Sequence, residues 1–298
     1  MTPFASASAA PYAQRAPAVA WRERRIGVSG QSIAVFETGS GAREAPVLFL
    51  VHGLGHWTQA AWNRLIPLLD AGLRIVAFDL PGFGASDRPD AKYDGAFFTA
   101  AAEAVVDAAG LPERFAVCGH SLGGAIAARY AAKHPHRVRA LALVAPAGFA
   151  PSARIVYGLL GSTISRYVYF RVPSHRFVRR IMERAVVDPA CIEAEMMERA
   201  CSLSEDAAFR RAHAAVYGAG LNEFTRVGQL RTALRAYAGP TLIAWGLKDQ
   251  YVPIRALDDV RGVYPQAEIE IFDRSAHLPM VEEPEKFATT LSALLESS

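Results

Sequence analysis

The sequence predicts an α/β protein: a mostly parallel sheet with helices on both faces, interrupted by a helical insertion. Three observations carry this reading. Short apolar runs alternate with helical patterns from Arg22 to Gly148. The strand signal then vanishes from Pro151 to about Val227, where helical spacing runs throughout. Alternation returns at Thr241 and lasts to the C-terminus.

Taken in order, the expected strands are Arg25–Val28, Ser32–Glu37, Val47–Val51, Arg74–Phe78, Phe115–Cys118, Val138–Val144, Thr241–Trp245 and Glu268–Phe272. The first two flank Gly30 closely, which predicts an antiparallel hairpin at a sheet edge. The later runs through Val144 are continuous and apolar, as central parallel strands are when both faces are covered. Helices are expected at Trp57–Asp70, Gly95–Ala109, Leu122–Lys133, Ile254–Val263 and Pro284–Leu295. In the insertion, Phe177, Ile181 and Ala185 share one face, with Arg179, Arg180, Glu183 and Arg184 off it. Pro173, Pro189 and Gly218 divide that stretch into short helices. The expected organisation is a tail over 1–20, a core over 21–148 and 228–298, and the insertion over 149–227. The tail is Ala-, Ser- and Pro-rich with Arg15 as its one charge. It reads as flexible, packed at most through Phe4 and Tyr12, and lacks the basic start and apolar core of a signal peptide.

The 298 residues are 51% hydrophobic with a formal net charge of +3, enough for a full core and no argument for a nucleic-acid partner. The insertion is uneven: Ala150 to Arg235 holds 13 Arg and no Lys against 8 acidic residues, a balance of +5. That reads as an arginine-rich helical surface, with attraction of acidic substrates or anionic membranes the second reading. Cys118, Cys191 and Cys201 make neither a disulfide framework nor a metal-ligand spacing, which fits reduced thiols in the cytoplasm. No run of about 18 apolar residues exists, so no membrane span is expected.

Gly119-His120-Ser121-Leu122-Gly123 lies between an apolar strand and a helix. A serine between two glycines at such a turn has the signature of a nucleophile elbow; the plain alternative is a helix-capping serine. A serine hydroxyl needs a base, and the base needs a partner that sets its tautomer. Of the eight histidines (52, 56, 120, 134, 136, 175, 213 and 277), only His277 follows the last strand. Asp249, just beyond Thr241–Trp245, is the candidate carboxylate. Asp273 competes because it is close in sequence, although so short a segment buttresses the imidazole awkwardly. Backbone N–H groups of Leu54, in His52-Gly53-Leu54-Gly55, and of Leu122 are the candidate oxyanion donors. His52 is expected to hold its loop together. Candidate pocket-lining residues are His56, Trp57, His120, Phe149, Val252 and Leu278, with His120 more readily packed than catalytic. Tyr157, Tyr167, Tyr169, Phe170, Phe177, Met182, Met196 and Met197 line an apolar pocket or form the insertion's own core.

With His52–Gly55, Asp79-Leu80-Pro81-Gly82-Phe83-Gly84-Ala85-Ser86, the elbow, Asp249 and His277, the chain resembles the α/β-hydrolase superfamily, in its serine branch with a helical cap. The resemblance runs from about Arg22 to the C-terminus. It implies an eight-stranded sheet, a lid over residues 149–227, and a structural turn at Asp79–Ser86. Dehalogenases and epoxide hydrolases of this fold carry aspartate at the nucleophile position. Carbon–carbon bond hydrolases of ring cleavage commonly carry Asn before the serine and Trp after the histidine, where this chain has His120 and Leu278. Prolyl aminopeptidases differ in the elbow. The expected activity is hydrolysis of carboxylic esters or thioesters of small-molecule substrates, with no metal or organic cofactor. The alternatives are carbon–carbon hydrolysis and a non-catalytic binding member of the fold.

Overall fold

The computed structural model describes residues 19–42, 44–149, 173–216 and 234–298. The expected tail (to residue 18), the parts of the insertion over 150–172 and 217–227, and residues 228–233 of the expected core lie outside them, as do Tyr157, Tyr167, Tyr169 and Phe170.

Eight strands form one sheet: β1 (Arg22–Val28), β2 (Gln31–Gly39), β3 (Val47–Val51), β4 (Arg74–Phe78), β5 (Phe115–His120), β6 (Val138–Val144), β7 (Thr241–Gly246) and β8 (Glu268–Phe272). Their spatial order is β1-β2-β4-β3-β5-β6-β7-β8. β1 and β2 form the expected antiparallel edge hairpin, with Arg22 opposite Glu37. Ser29 and Gly30 both take positive φ, 50° and 80°, which suits the twist of a two-residue hairpin turn. β2 also pairs antiparallel with β4, and all remaining pairs are parallel.

The helices are α1 (Thr58–Trp62), α2 (Gly95–Ala108), α3 (Leu122–Lys133), α4 (His175–Arg184), α5 (Ala194–Glu205), α6 (Ala207–Ala215), α7 (Leu257–Arg261), α8 (Pro279–Glu282) and α9 (Pro284–Glu296). Strand alternation divides the core in two. Val47, Phe49 and Val51 face a cluster containing Phe98, Val105 and Ile126 from α2 and α3. Leu48 and Leu50 face the opposite cluster, with Trp62, Met280, Phe287 and Leu291. Helices therefore cover both faces. Among the described residues of the insertion there is no strand.

Two expectations need correction. The helix expected over Trp57–Asp70 ends at Trp62, and Ile66–Leu68 is a 3₁₀ turn. Pro67 has no N–H to continue an α-helical ladder, and Leu68 and Leu69 close three-residue turns onto Leu65 and Ile66 instead. The helix expected over Ile254–Val263 begins as a 3₁₀ turn at Ile254–Ala256 and becomes helical only over Leu257–Arg261.

The chain leaves β3 toward β4 on one side and enters β5 on the other. The crevice between the carboxyl ends of β3 and β5 is thus a topological switch point, where open α/β sheets bind ligands. The loop at His52 and the turn at Ser121 both emerge there.

Candidate active site

The turn at Ser121 is as tight as its sequence demands. Ser121 has φ 52° and ψ −115°, a conformation that side chains rarely adopt. Surrounding bonds hold it: Ser121 N–H donates to Val144 O (2.8 Å), and Ser121 O accepts from Ala147 N–H (2.9 Å) and Ala125 N–H (3.2 Å). Side chains at Gly119 and Gly123 would collide with backbone, that of Gly123 itself and of Val51 respectively. The hydroxyl of Ser121 caps nothing on α3, so the capping alternative does not apply. Leu122 is the first residue of α3, where an N–H has no acceptor within its own helix.

The loops after β7 and β8 run together. Leu247 N–H donates to Phe272 O and Lys248 N–H to Ser275 O, both at 3.0 Å. Gly246 allows this approach, because a Cβ there would run into Ala276 O. Asp249 Oδ1 accepts from the N–H groups of Tyr251 (2.8 Å) and Val252 (2.9 Å). Its Oδ2 lies 2.7 Å from His277 Nδ1, and the Asp249 side chain is wholly buried. A carboxylate only accepts, so Nδ1 carries the hydrogen in the neutral imidazole and Nε2 keeps its lone pair. Asp273, the competitor, is exposed on the surface.

The other histidines divide by what they touch. His120 is fully buried, and its Nε2–H donates to His277 O at 2.9 Å, joining the elbow to the histidine loop. Burial holds its pKa well below the ordinary value. His52 donates through Nδ1 to Gly53 O (2.8 Å) and accepts from Leu80 N–H at Nε2 (2.9 Å). It therefore holds two loops together as a neutral ring, its pKa lowered by burial. The Asp79–Ser86 turn is likewise tied internally: Asp79 accepts from Thr58 N–H and Ala85 N–H, both at 2.7 Å, and Ser86 Oγ donates to Asp79 O at 2.6 Å.

A cavity opens beside Leu54 and Gly55 at the end of β3. Helices α4, α5 and α6 form its other walls, through Val178, Ile181, Met182, Ala200, Leu203 and Phe209, with Ser174, Ser204, Arg210 and His213 as polar lining. His213 packs edge-on against Phe83 and Phe209, and burial lowers its pKa to about 3, so it is neutral. Arg210 donates to the carbonyls of Ser204 and Glu205, each at 2.7 Å.

Of the expected site residues only Leu54 borders this cavity; Ser121, Leu122, Asp249 and His277 do not. None of His56, Trp57, His120, Phe149, Val252 and Leu278 lines this cavity. His56 is buried against His120 with Nδ1 on Leu54 O, and burial takes its pKa down to about 4. Trp57 precedes α1 and lies under the Arg199 guanidinium, 5.0 Å from its ring centre. Val252 is fully buried, with its N–H on Asp249 and its carbonyl accepting from Trp245 Nε1. Phe149 and Leu278 belong to the two core clusters. Trp57 lines a separate hollow with Trp21, Asn63 and Arg199. Met182 does line the cavity, whereas Met196 and Met197 pack in the core. Phe209 and His213 were not anticipated; the i, i+4 pairing of two ring side chains on one short helix was the available signal.

Among the described residues no cluster suited to a metal ion occurs, and no helix is long and apolar enough to cross a membrane.

The chain is similar in sequence and fold to known proteins. The chain is 29% identical over 276 residues to a 2-hydroxymuconate semialdehyde hydrolase of Pseudomonas sp. (strain CF600), covering 91% of this chain and 93% of the relative. It is 29% identical over 270 residues to Lipase 1 of Psychrobacter immobilis, covering 89% and 81%. The crystal structure of a membrane phospholipase A, a bacterial virulence factor, superposes with a TM-score of 0.76 at 28% identity, over 93% of this chain and 86% of that one. The family model for the alpha/beta hydrolase fold matches residues 46–284, from the start of β3 to the start of α9. With the elbow turn and the switch-point crevice within that span, the chain belongs to the alpha/beta hydrolase fold family.

Proposed function

We propose that the protein hydrolyses carboxylic esters or thioesters of small to medium apolar acyl groups through an acyl-enzyme. The observation that carries this reading is the buried Asp249–His277 pair, 2.7 Å apart, linked through His120 to a serine whose hydroxyl caps nothing. In this mechanism Ser121 attacks the substrate carbonyl as His277 Nε2 takes its proton. Asp249 holds the imidazole in the required tautomer and stabilises the imidazolium. The N–H groups of Leu54 and Leu122 receive the oxyanion. His277 returns the proton to the leaving alcohol or thiol, then activates water to release the acid. Helices α4 to α6 act as the lid, and the apolar walls they supply suit an acyl chain.

Carbon–carbon hydrolysis is the second reading, supported by the likeness to the 2-hydroxymuconate semialdehyde hydrolase. Such a substrate carries a carboxylate. Arg210, the cationic group lining the cavity among the described residues, already serves two backbone carbonyls, which favours the neutral acyl substrate.

The test is labelling with a fluorophosphonate probe, beside hydrolysis of p-nitrophenyl esters of graded chain length and of a ring-cleavage dienone. Labelling and ester turnover are expected. Ser121→Ala should remove both, with activity falling on the order of 10³-fold or more in a folded protein. Turnover of the dienone alone would establish the second reading. Absence of labelling would leave a non-catalytic binding protein.

A further inference from the structure

Two contacts join the end of α4 to the histidine loop. His277 N–H donates to Ala185 O at 2.9 Å. The Glu282 carboxylate accepts from Val187 N–H through Oε1 (2.6 Å) and from Ala276 N–H through Oε2 (2.7 Å), with Leu278 N–H also turned toward it. The same helix reaches the acid loop: Tyr251 donates its hydroxyl to Ile181 O (2.8 Å), and Arg184 Nε donates to Gln250 Oε1 (3.0 Å). The segment 181–187 thus touches both loops that bring Asp249 and His277 together.

We propose that Glu282 is a positioning residue for the hydrolytic reaction, its carboxylate clamping residues 185–187 to the loop that carries His277. The inference rests on the hydrolase reading above and adds a residue that touches no substrate. Both oxygens accept from backbone N–H groups, an arrangement that only the ionised carboxylate satisfies in full. A protonated carboxyl or an amide must turn a donor toward one of those donors.

Burial pushes the Glu282 carboxyl up to about 7, against the pull of its three N–H partners, and the adjacent Glu283 pushes it further up. Cys191, on the Pro189–Cys191 turn, also faces it, and Cys191 in turn has Asp188 and Arg64 nearby, the latter donating to the carbonyls of Cys191 and Val281. Arg274 is engaged by Glu283. Because the fold raises this carboxyl above its ordinary 4.5, folding takes up a proton between about pH 4.5 and 7. The ionised clamp therefore costs stability above pH 7 while holding the catalytic geometry. A group kept only for stability has the opposite signature.

The experiment compares wild type with Glu282→Gln in the full chain. The rate of fluorophosphonate labelling is followed from pH 5 to 9, with thermal unfolding at pH 8 and amide exchange at Val187 and Ala276. E282Q should remain folded at the assay temperature and label roughly ten- to a hundred-fold more slowly at pH 8, since small misplacements of reacting groups cost that much. Wild-type labelling should fall more steeply than that of E282Q as the pH drops through 7, because protonation of Glu282 releases the clamp and the glutamine has no proton to gain there. Exchange at Val187 and Ala276 should accelerate. Equal labelling rates with the same pH profile would overturn the proposal. A wild type that does not label would overturn the hydrolase reading instead; the exchange comparison then still decides the clamp, which equal protection in both proteins would refute.

Discussion

Gly119 and Gly123 meet backbone to backbone: a Cβ on Gly119 would run into the carbonyl of Gly123. The contact spans the elbow from the end of β5 to the first turn of α3. It explains why the chain can reverse direction within one residue and leave Ser121 at its apex.

Gly119→Ala should therefore cost about 1–3 kcal/mol, as overpacking against unyielding backbone does. The measurement is the urea midpoint. Gly27→Ala is the control, because nothing lies within 4 Å of a Cβ there. An unchanged midpoint for G119A would mean that the elbow relaxes and that its glycines are not sterically required.

Asp249→Asn should fold and lose activity on the order of 10³- to 10⁴-fold, because an amide facing Nδ1 favours the wrong imidazole tautomer. Asp273→Asn, at an exposed position, should be indistinguishable from wild type. Ester turnover by both variants decides between them. A dead D273N with an active D249N would reverse the assignment of the acid.

Ala200→Phe should shift the preferred ester toward shorter acyl chains. Ala200 lines the cavity from α5, and a phenyl ring there displaces acyl methylenes. Each buried methylene is worth about 0.8 kcal/mol, so excluding two should cost the longer ester roughly fifteen-fold in kcat/KM. The short ester should be spared. A chain-length profile like that of wild type would place the acyl group outside this cavity.

The sequence by itself determined the sheet and the elbow. Strand periods, continuous apolar runs and the glycines around Ser121 are local signals. They specify local geometry because sterics between near neighbours decide it. All eight strands are where those signals put them, within a few residues at the ends. Even the early end of α1 had a local cause, Pro67. Other features depended on residues far apart in the chain. Asp249 rather than Asp273 meets His277 because the β7 and β8 loops cross at Gly246. The cavity beside Leu54 is walled by side chains of α4, α5 and α6 rather than by His56, Trp57, His120, Phe149, Val252 or Leu278. The neutral states of His52, His56, His120 and His213, and the span of Glu282 from Val187 to Ala276, likewise exist only once the core has closed. Burial and long-range hydrogen bonds have no sequence period, so only the tertiary structure decides them.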